Sequence, residues 1–165
     1  MAQVTLPTDL YVGGNVACKS FTPPAGCIAD AAVQQNAAIQ ATKLQHQHQK
    51  GLAQNSNVAA TSQRQPIHVV YGANATLVEF EAGAVVPATG NDTVTVDLWK
   101  NGSSVLTTPI TLNSSQSARQ LVAASLSTTT AVASDVFEVN IVYTHNTGAA
   151  PQGVFCQFVL QESAQ

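Results

Sequence analysis

Two histidines in the stretch Leu44–Lys50, LQHQHQK, are the most concentrated chemical feature of the chain. On a strand, His46 and His48 project to the same side; on a helix they lie about 200° apart. Two imidazoles fall short of the three or four ligands a metal needs. An ion would therefore require the same pair from symmetry-related copies, six imidazoles around a three-fold axis. A polar, hydrogen-bonding subunit contact is the simpler use, and no metal or cofactor is expected. His68 and His145 read as solitary strand-end residues without a role.

The carboxylates offer little catalysis. Asp92 and Asp135 stand beside turn sequences, where an Asx side chain hydrogen-bonds nearby backbone. Glu79 and Glu81 alternate with Phe80, which puts both on one strand face. Like charges on a solvent-facing strand are the ordinary case, and a glycosidase-type pair is the chemical alternative. Cys156 alternates with apolar residues and reads as a core thiol. Cys18 and Cys27 flank the loop KSFTPPAG and could pair if oxidised, but reduced thiols suit a protein assembled in the cytosol. The cysteines show no CxxC spacing, and the chain carries no GxSxG elbow, P-loop, HExxH or dinucleotide fingerprint. The expectation is a protein that is not an enzyme, with no catalytic residues.

Composition narrows the partners. Only 9% of the 165 residues are charged, against about 25% in ordinary soluble domains, while 45% are hydrophobic. Gln, Asn, Thr, Ser and Ala replace the missing charge. Such a surface is easily desolvated against another protein, because few ions must lose water. Six Lys and Arg at a net charge of −3 cannot build a phosphate-neutralising or polybasic patch, so neither nucleic acid nor membrane is an expected partner. No run approaches the ~18 apolar residues of a membrane span. Met1–Gly14 has neither the basic nor the apolar region of a signal peptide, and Asp9 interrupts it. The Asn-x-Ser/Thr triplets at Asn74, Asn91, Asn101 and Asn113 then read as turn chemistry of a Thr/Ser/Asn-rich β protein rather than as glycosylation sites.

The elements that must position these groups divide near residue 66. Residues 1–66 read as an extended N-terminal arm punctuated by Pro and Gly, with a short Ala-rich helix near 30–44 capped by Asp30 and a linker over 51–65. The helix has a thin apolar face of Val33, Ile39 and Leu44, suited to packing on copies of itself. In the arm, Leu6, Leu10, Tyr11, Val12 and Phe21 are apolar groups without a home in a compact core; together with the helix face, His46 and His48 they are the candidate contacts with a protein partner or with other subunits. Residues 67–165 read as a β domain of seven strands, over 67–72, 76–81, 93–100, 104–112, 119–126, 136–143 and 154–160. Val94, Val96 and Leu98 share a face, as do Phe137, Val139, Ile141 and Tyr143, and as do Val154, Cys156, Phe158 and Leu160. Asn101-Gly102 predicts a two-residue hairpin placing Leu98 opposite Val105 and Val96 opposite Thr107, and Pro109 predicts an edge or bulge. The fold class expected is mainly β: an antiparallel β-sandwich, jelly-roll or immunoglobulin-like, preceded by the arm.

The stretch LYVGGNVACKSFTPPAGCIADAAVQQNAAIQATKLQHQHQ resembles segments of tailed-bacteriophage virion proteins, with its YVGGN start, Pro-Pro turn, Ala-rich helix and KLQHQHQ ending. From GNDTVTVDLWKNGSSVLTTPITL through DVFEVNIVYTH the chain is similar to β-sandwich modules of phage capsid-binding and tail-associated proteins. The arrangement resembles head decoration, or cement, proteins. That resemblance implies a structural protein on the outer face of the virion, assembled in the host cytoplasm. It would bind the major capsid protein, bridge capsomers and occupy three-fold positions as a homotrimer. The other role open to such a protein is a head-fibre or tail-associated adhesin with a carbohydrate-binding sandwich. Trp99, beside the Asn101-Gly102 turn, is the one aromatic placed to stack on a sugar, and it could equally be core.

Overall fold

A computed structural model of the protein describes residues 46–72 and 74–162. They form ten strands: β1 (His46–Ala53), β2 (Gln63–Val69), β3 (Ala75–Val86), β4 (Thr93–Lys100), β5 (Ser103–Ser104), β6 (Ile110–Leu112), β7 (Val122–Ala123), β8 (Thr130–Ala131), β9 (Val136–Thr144) and β10 (Gln152–Glu162). No helix occurs among the described residues. All strand pairings among them are antiparallel. One sheet runs β1-β10-β3-β7, with β8 also on β3; the other runs β2-β9-β4-β5, with β6 also on β4. Both sheets contribute to one hydrophobic core.

Alternation builds that core. Val94, Val96 and Leu98 of β4 are fully enclosed, as are Phe137, Val139 and Ile141 of β9 and Val154, Phe158 and Leu160 of β10. Phe137 and Phe158 meet across the two sheets with ring centroids 5.3 Å apart. Cys156 lies in the same core, and burial pushes its thiol up to about 11, against a smaller opposing effect of the Leu52 backbone. The Asn101-Gly102 turn forms as expected, with φ of 50° and 83°, and Val105 N–H donates to Leu98 O.

Four expectations are corrected. The boundary at residues 66/67 falls inside β2, and the stretch 51–65 holds the end of β1 and the start of β2 rather than a linker alone. Both are edge strands, and edge strands tolerate the polar faces and the Pro66 that disguised them. The strand over 104–112 splits into β5 and β6. After Leu106 the chain leaves β4 to bond the β7–β8 loop, so Val96 opposes Ile110 instead of Thr107. Of the strand over 119–126 only Val122–Ala123 forms a ladder, Leu126 makes an isolated bridge, and Arg119 takes a φ of 61° that no strand accommodates. β3 runs on past Glu81 to Val86 through Ala82, Gly83 and Ala84, residues of weak strand propensity held by burial. The arm over residues 1–45 and its helix near 30–44 lie outside the described residues.

Candidate functional site

β1 is the outermost strand of one sheet and β2 of the other, and they pack together along one side of the core. β1 alternates so that His46, His48 and Leu52 are half-buried while Gln47, Gln49 and Gly51 are exposed. The two histidines therefore share a face, as the spacing predicts for a strand. His46 stacks on His48 with centroids 6.3 Å apart and planes 19° apart. His48 stands 6.1 Å from His68 of β2, and His68 stands 6.0 Å from Phe158 of β10. With Phe137 beyond, five rings form a file from this edge into the core.

Two nitrogens of the file, on His48 and His68, lack hydrogen-bond partners. His48 Nε2 lies 3.2 Å from Glu162 Oε2 without the alignment of a hydrogen bond. The Nε2 atoms of His48 and His68 are both shut off from solvent with no hydrogen-bond partner. Burial holds the His68 imidazole below its ordinary range, the positive ends of Lys50 and His48 add to this, and Glu162 opposes it. Among the described residues, no group of three or more His, Cys, Asp or Glu side chains is arranged to hold a metal ion.

The opposite side of the core closes differently. Thr107 N–H donates to Ser125 O and Ser127 N–H to Val105 O, both at 2.8 Å, and Leu106 bridges Leu126. Leu106 is buried there.

A third group sits where the β3–β4 and β9–β10 loops meet. Asp92 is fully enclosed and accepts four hydrogen bonds. Oδ2 takes the Tyr143 hydroxyl proton and faces His145 Nδ1 at 2.9 Å. Oδ1 takes the N–H groups of Asn146 at 2.8 Å and Gly148 at 2.9 Å. Burial alone would raise the Asp92 carboxyl, but these donors outweigh it and hold the group well below the usual carboxylate range. Its hydrogen bond to Asp92, then burial and the nearby charge, push the Tyr143 phenol up. The loops touch so closely that a Cβ on Gly148 would collide with the Thr89 carbonyl, so only glycine fits. The His145 side chain remains 65% exposed. The arrangement is a clamp that fixes a charge and ties two loops, with bonds to the distant β9–β10 segment in place of the nearby turn bonding expected of Asp92.

Asp135 does the same at the β8–β9 turn. It accepts Val132 N–H at 2.9 Å and the Asn101 side chain at 2.6 Å, with Lys100 Nζ at 3.6 Å. The Val132 bond, opposed by burial and helped by Asn101 and Lys100, keeps its carboxyl low.

Trp99 is half-buried on the outer face of β4. Its Nε1–H donates to Asp97 Oδ2 at 2.7 Å, and the Arg64 guanidinium covers the ring at 4.3 Å while pairing with Glu138. One ring face is thus occupied by a cation. Glu81 accepts a hydrogen bond from Gln157, which accepts one from Gln49, so the carboxylate sits in an amide ladder across three strands.

Of the residues expected to make contacts, the structure brings His46 and His48 together and adds His68, a residue without a role on sequence grounds. Leu6, Leu10, Tyr11, Val12, Phe21, Val33, Ile39 and Leu44 lie outside the described residues, as do Cys18 and Cys27. The Asp92–Tyr143–His145 clamp was also missed. Its one local signal is the i, i+2 spacing of Tyr143 and His145, which puts both on one side of a strand end. No protein-family model and no curated protein matches the chain.

Proposed function

We propose that the described module is a jelly-roll β-sandwich and that the protein is a structural component of a virion, bound to the outer surface of a capsid and bridging its capsomers. The observation that carries this reading is the strand order. If β5 with β6, and β7 with β8, each count as one interrupted strand, eight strands remain in two four-stranded sheets. Consecutive strands switch sheets at β1–β2, β2–β3, β3–β4, β6–β7, β8–β9 and β9–β10. That pattern is the double Greek key of jelly rolls, an architecture of viral capsid and lectin domains. A fold hosts many functions, so the surface must support the reading as well. The sparse charge favours protein contact over nucleic acid or membrane. Residues 1–45 lead directly into β1, an edge strand bonded to β10 on one side only, which suits an arm reaching from a rigid module to a neighbour. A homotrimer on three-fold positions, with the major capsid protein as partner, completes the proposal. The adhesin reading loses support because Arg64 covers Trp99.

Cosedimentation with undecorated capsids tests it. The full chain is expected to bind stoichiometrically, with weak dependence on salt, since screening acts on ions. Deleting residues 1–26 is expected to remove most of the binding. A full chain that leaves capsids bare and binds glycans instead overturns the proposal.

A further inference from the structure

We propose that the file His46–His48–His68 makes the β1–β2 edge a proton-operated latch, closed while the rings are neutral and released when His48 and His68 are protonated together. The inference stands on the geometry of this edge and does not depend on the capsid reading.

The two edge strands meet through side chains. The contact centres on the 6.1 Å approach of His48 to His68, flanked outward by His46, stacked on His48, and inward by Phe158, tilted 58° to His68. Neutral imidazoles suit that place: they pack against one another and against Phe158 as flat, weakly polar rings. Two imidazoliums do not. Both Nε2 atoms are sealed from water without a hydrogen-bond partner; a proton on His48 Nε2 meets Glu162 Oε2 at 3.2 Å, but one on His68 Nε2 gains neither hydration nor a hydrogen bond inside the closed edge.

The surrounding charges decide the direction. From β1, His68 is faced by His48 and Lys50; from β10, by Glu162. On β9, its nearest carboxylate, Glu138, is bound to Arg64 on the outer face of the sheet. Protonated His48 and His68 with Lys50 make three positive charges against the single negative charge of Glu162. Two remain uncompensated, before any proton on His46 is counted. Like charges this close favour the open edge, where water screens them.

The element that yields is also fixed by the topology. β1 is laddered to β10 over its whole length, and β2 to β9. Release therefore separates β1 from β2 and leaves each edge strand held by its single ladder, which frays more readily once the packing behind it is gone. Histidine is the side chain whose ordinary range puts this change between pH 5 and 8. His68 binds its proton less readily folded than unfolded, so its stabilising contribution is full above about pH 6.5 and is lost as pH falls through the folded value. The Asp92 clamp titrates far lower and stays intact over this range.

Amide exchange of the full chain at pH 7.5 and 5.0, corrected for intrinsic rates, reads the latch. Protection in β1 and β2 is expected to fall about tenfold at pH 5.0, the order of change that proton linkage at one histidine supplies, while Thr107 and Ser127 on the opposite edge hold steady. His68→Phe keeps a ring against Phe158 and removes the charge, and is expected to restore protection at pH 5.0 to within about twofold of its pH 7.5 value. His48→Gln is expected to do the same through the other partner and serves should His68→Phe fail to fold. Proton NMR of the wild-type imidazoles gives an independent readout, with His68 titrating below the ordinary value of about 6.5. Equal protection at the two pH values, or an undiminished loss in the folded variants, overturns the latch, as does His68 titrating at or above the ordinary value.

Discussion

The two long edges of the module hold their sheets together by different means. On the β5–β8 side, main-chain bonds join the β5–β6 loop to the β7–β8 loop: Thr107 to Ser125 and Ser127 to Val105, over the buried Leu106. On the β1–β2 side, the strands meet through histidine rings, and two imidazole nitrogens are left without partners. Backbone hydrogen bonds do not titrate and exist whatever side chains flank them. A ring file depends on every member and on its protonation. The difference teaches which edge this fold can regulate: the one closed by side chains. β1, which carries that edge, is also the strand joined directly to residues 1–45.

The comparison can be broken by mutation. Leu106→Ala is expected to cost about 2–5 kcal/mol, the usual range for truncating a buried leucine, in urea unfolding at pH 7. Leu52→Ala, half-buried on β1, is expected to cost about half as much or less, because the removed atoms were partly in water. Equal losses would mean that the two edges bear equal weight and would remove the contrast.

Acid separates the charged clamps from the rings. Asp92 sits below the usual carboxylate range when folded and returns to about 3.9 when unfolded. The unfolded state thus binds the proton more readily, so the Asp92 contribution is full above about pH 5 and is lost as pH falls below about 4. Asp92→Asn is expected to lower the urea midpoint at pH 7 and to flatten its decline between about pH 4 and 2. A variant that keeps the full acid decline would show that another carboxylate governs it. This window lies below the one expected for the histidine edge, so a single pH series on the wild type resolves two separate steps.

The smallest effect belongs to the outer face. Arg64→Ala removes an exposed ion pair with Glu138 and a cation over Trp99. About 1 kcal/mol is expected in total, since exposed pairs and exposed cation–π contacts each contribute a fraction of that to about 1 kcal/mol. Trp99 fluorescence should respond more visibly than stability. A loss of several kcal/mol would make this face part of the structural frame and place it on a par with the β5–β8 edge.

Legibility followed burial. Strands over 93–100 and 136–143 are readable almost to the residue, because large apolar residues recur at every second position, Val94, Val96 and Leu98 in one and Phe137, Val139 and Ile141 in the other. Asn101-Gly102 specifies its hairpin because both residues tolerate a positive φ, which few others do. β1 and β2 escape a reading by pattern because HQHQKGLA offers only Leu52 as a large apolar residue and QRQPIHV contains a proline. The histidine spacing carries the correct face all the same: if β1 is a strand, His46 and His48 must lie together. That His68 completes the file is invisible in the chain, because β2 reaches β1 only after the backbone has crossed from one sheet to the other. Asp92 and His145 are likewise 53 residues apart and meet only where two loops dock.

By itself, then, the sequence determined the mainly β character, the inward faces of the central strands, the turn at Asn101-Gly102 and a composition poor in cations. Those properties are local, set by side-chain alternation, backbone φ preference and composition. The tertiary structure decided which strands are edges, where the strand over 104–112 breaks, that β1 belongs to the module, and which polar groups share a site. Each of those depends on contacts between segments far apart in the chain, and on the requirement that buried donors and acceptors find partners across the fold or go without.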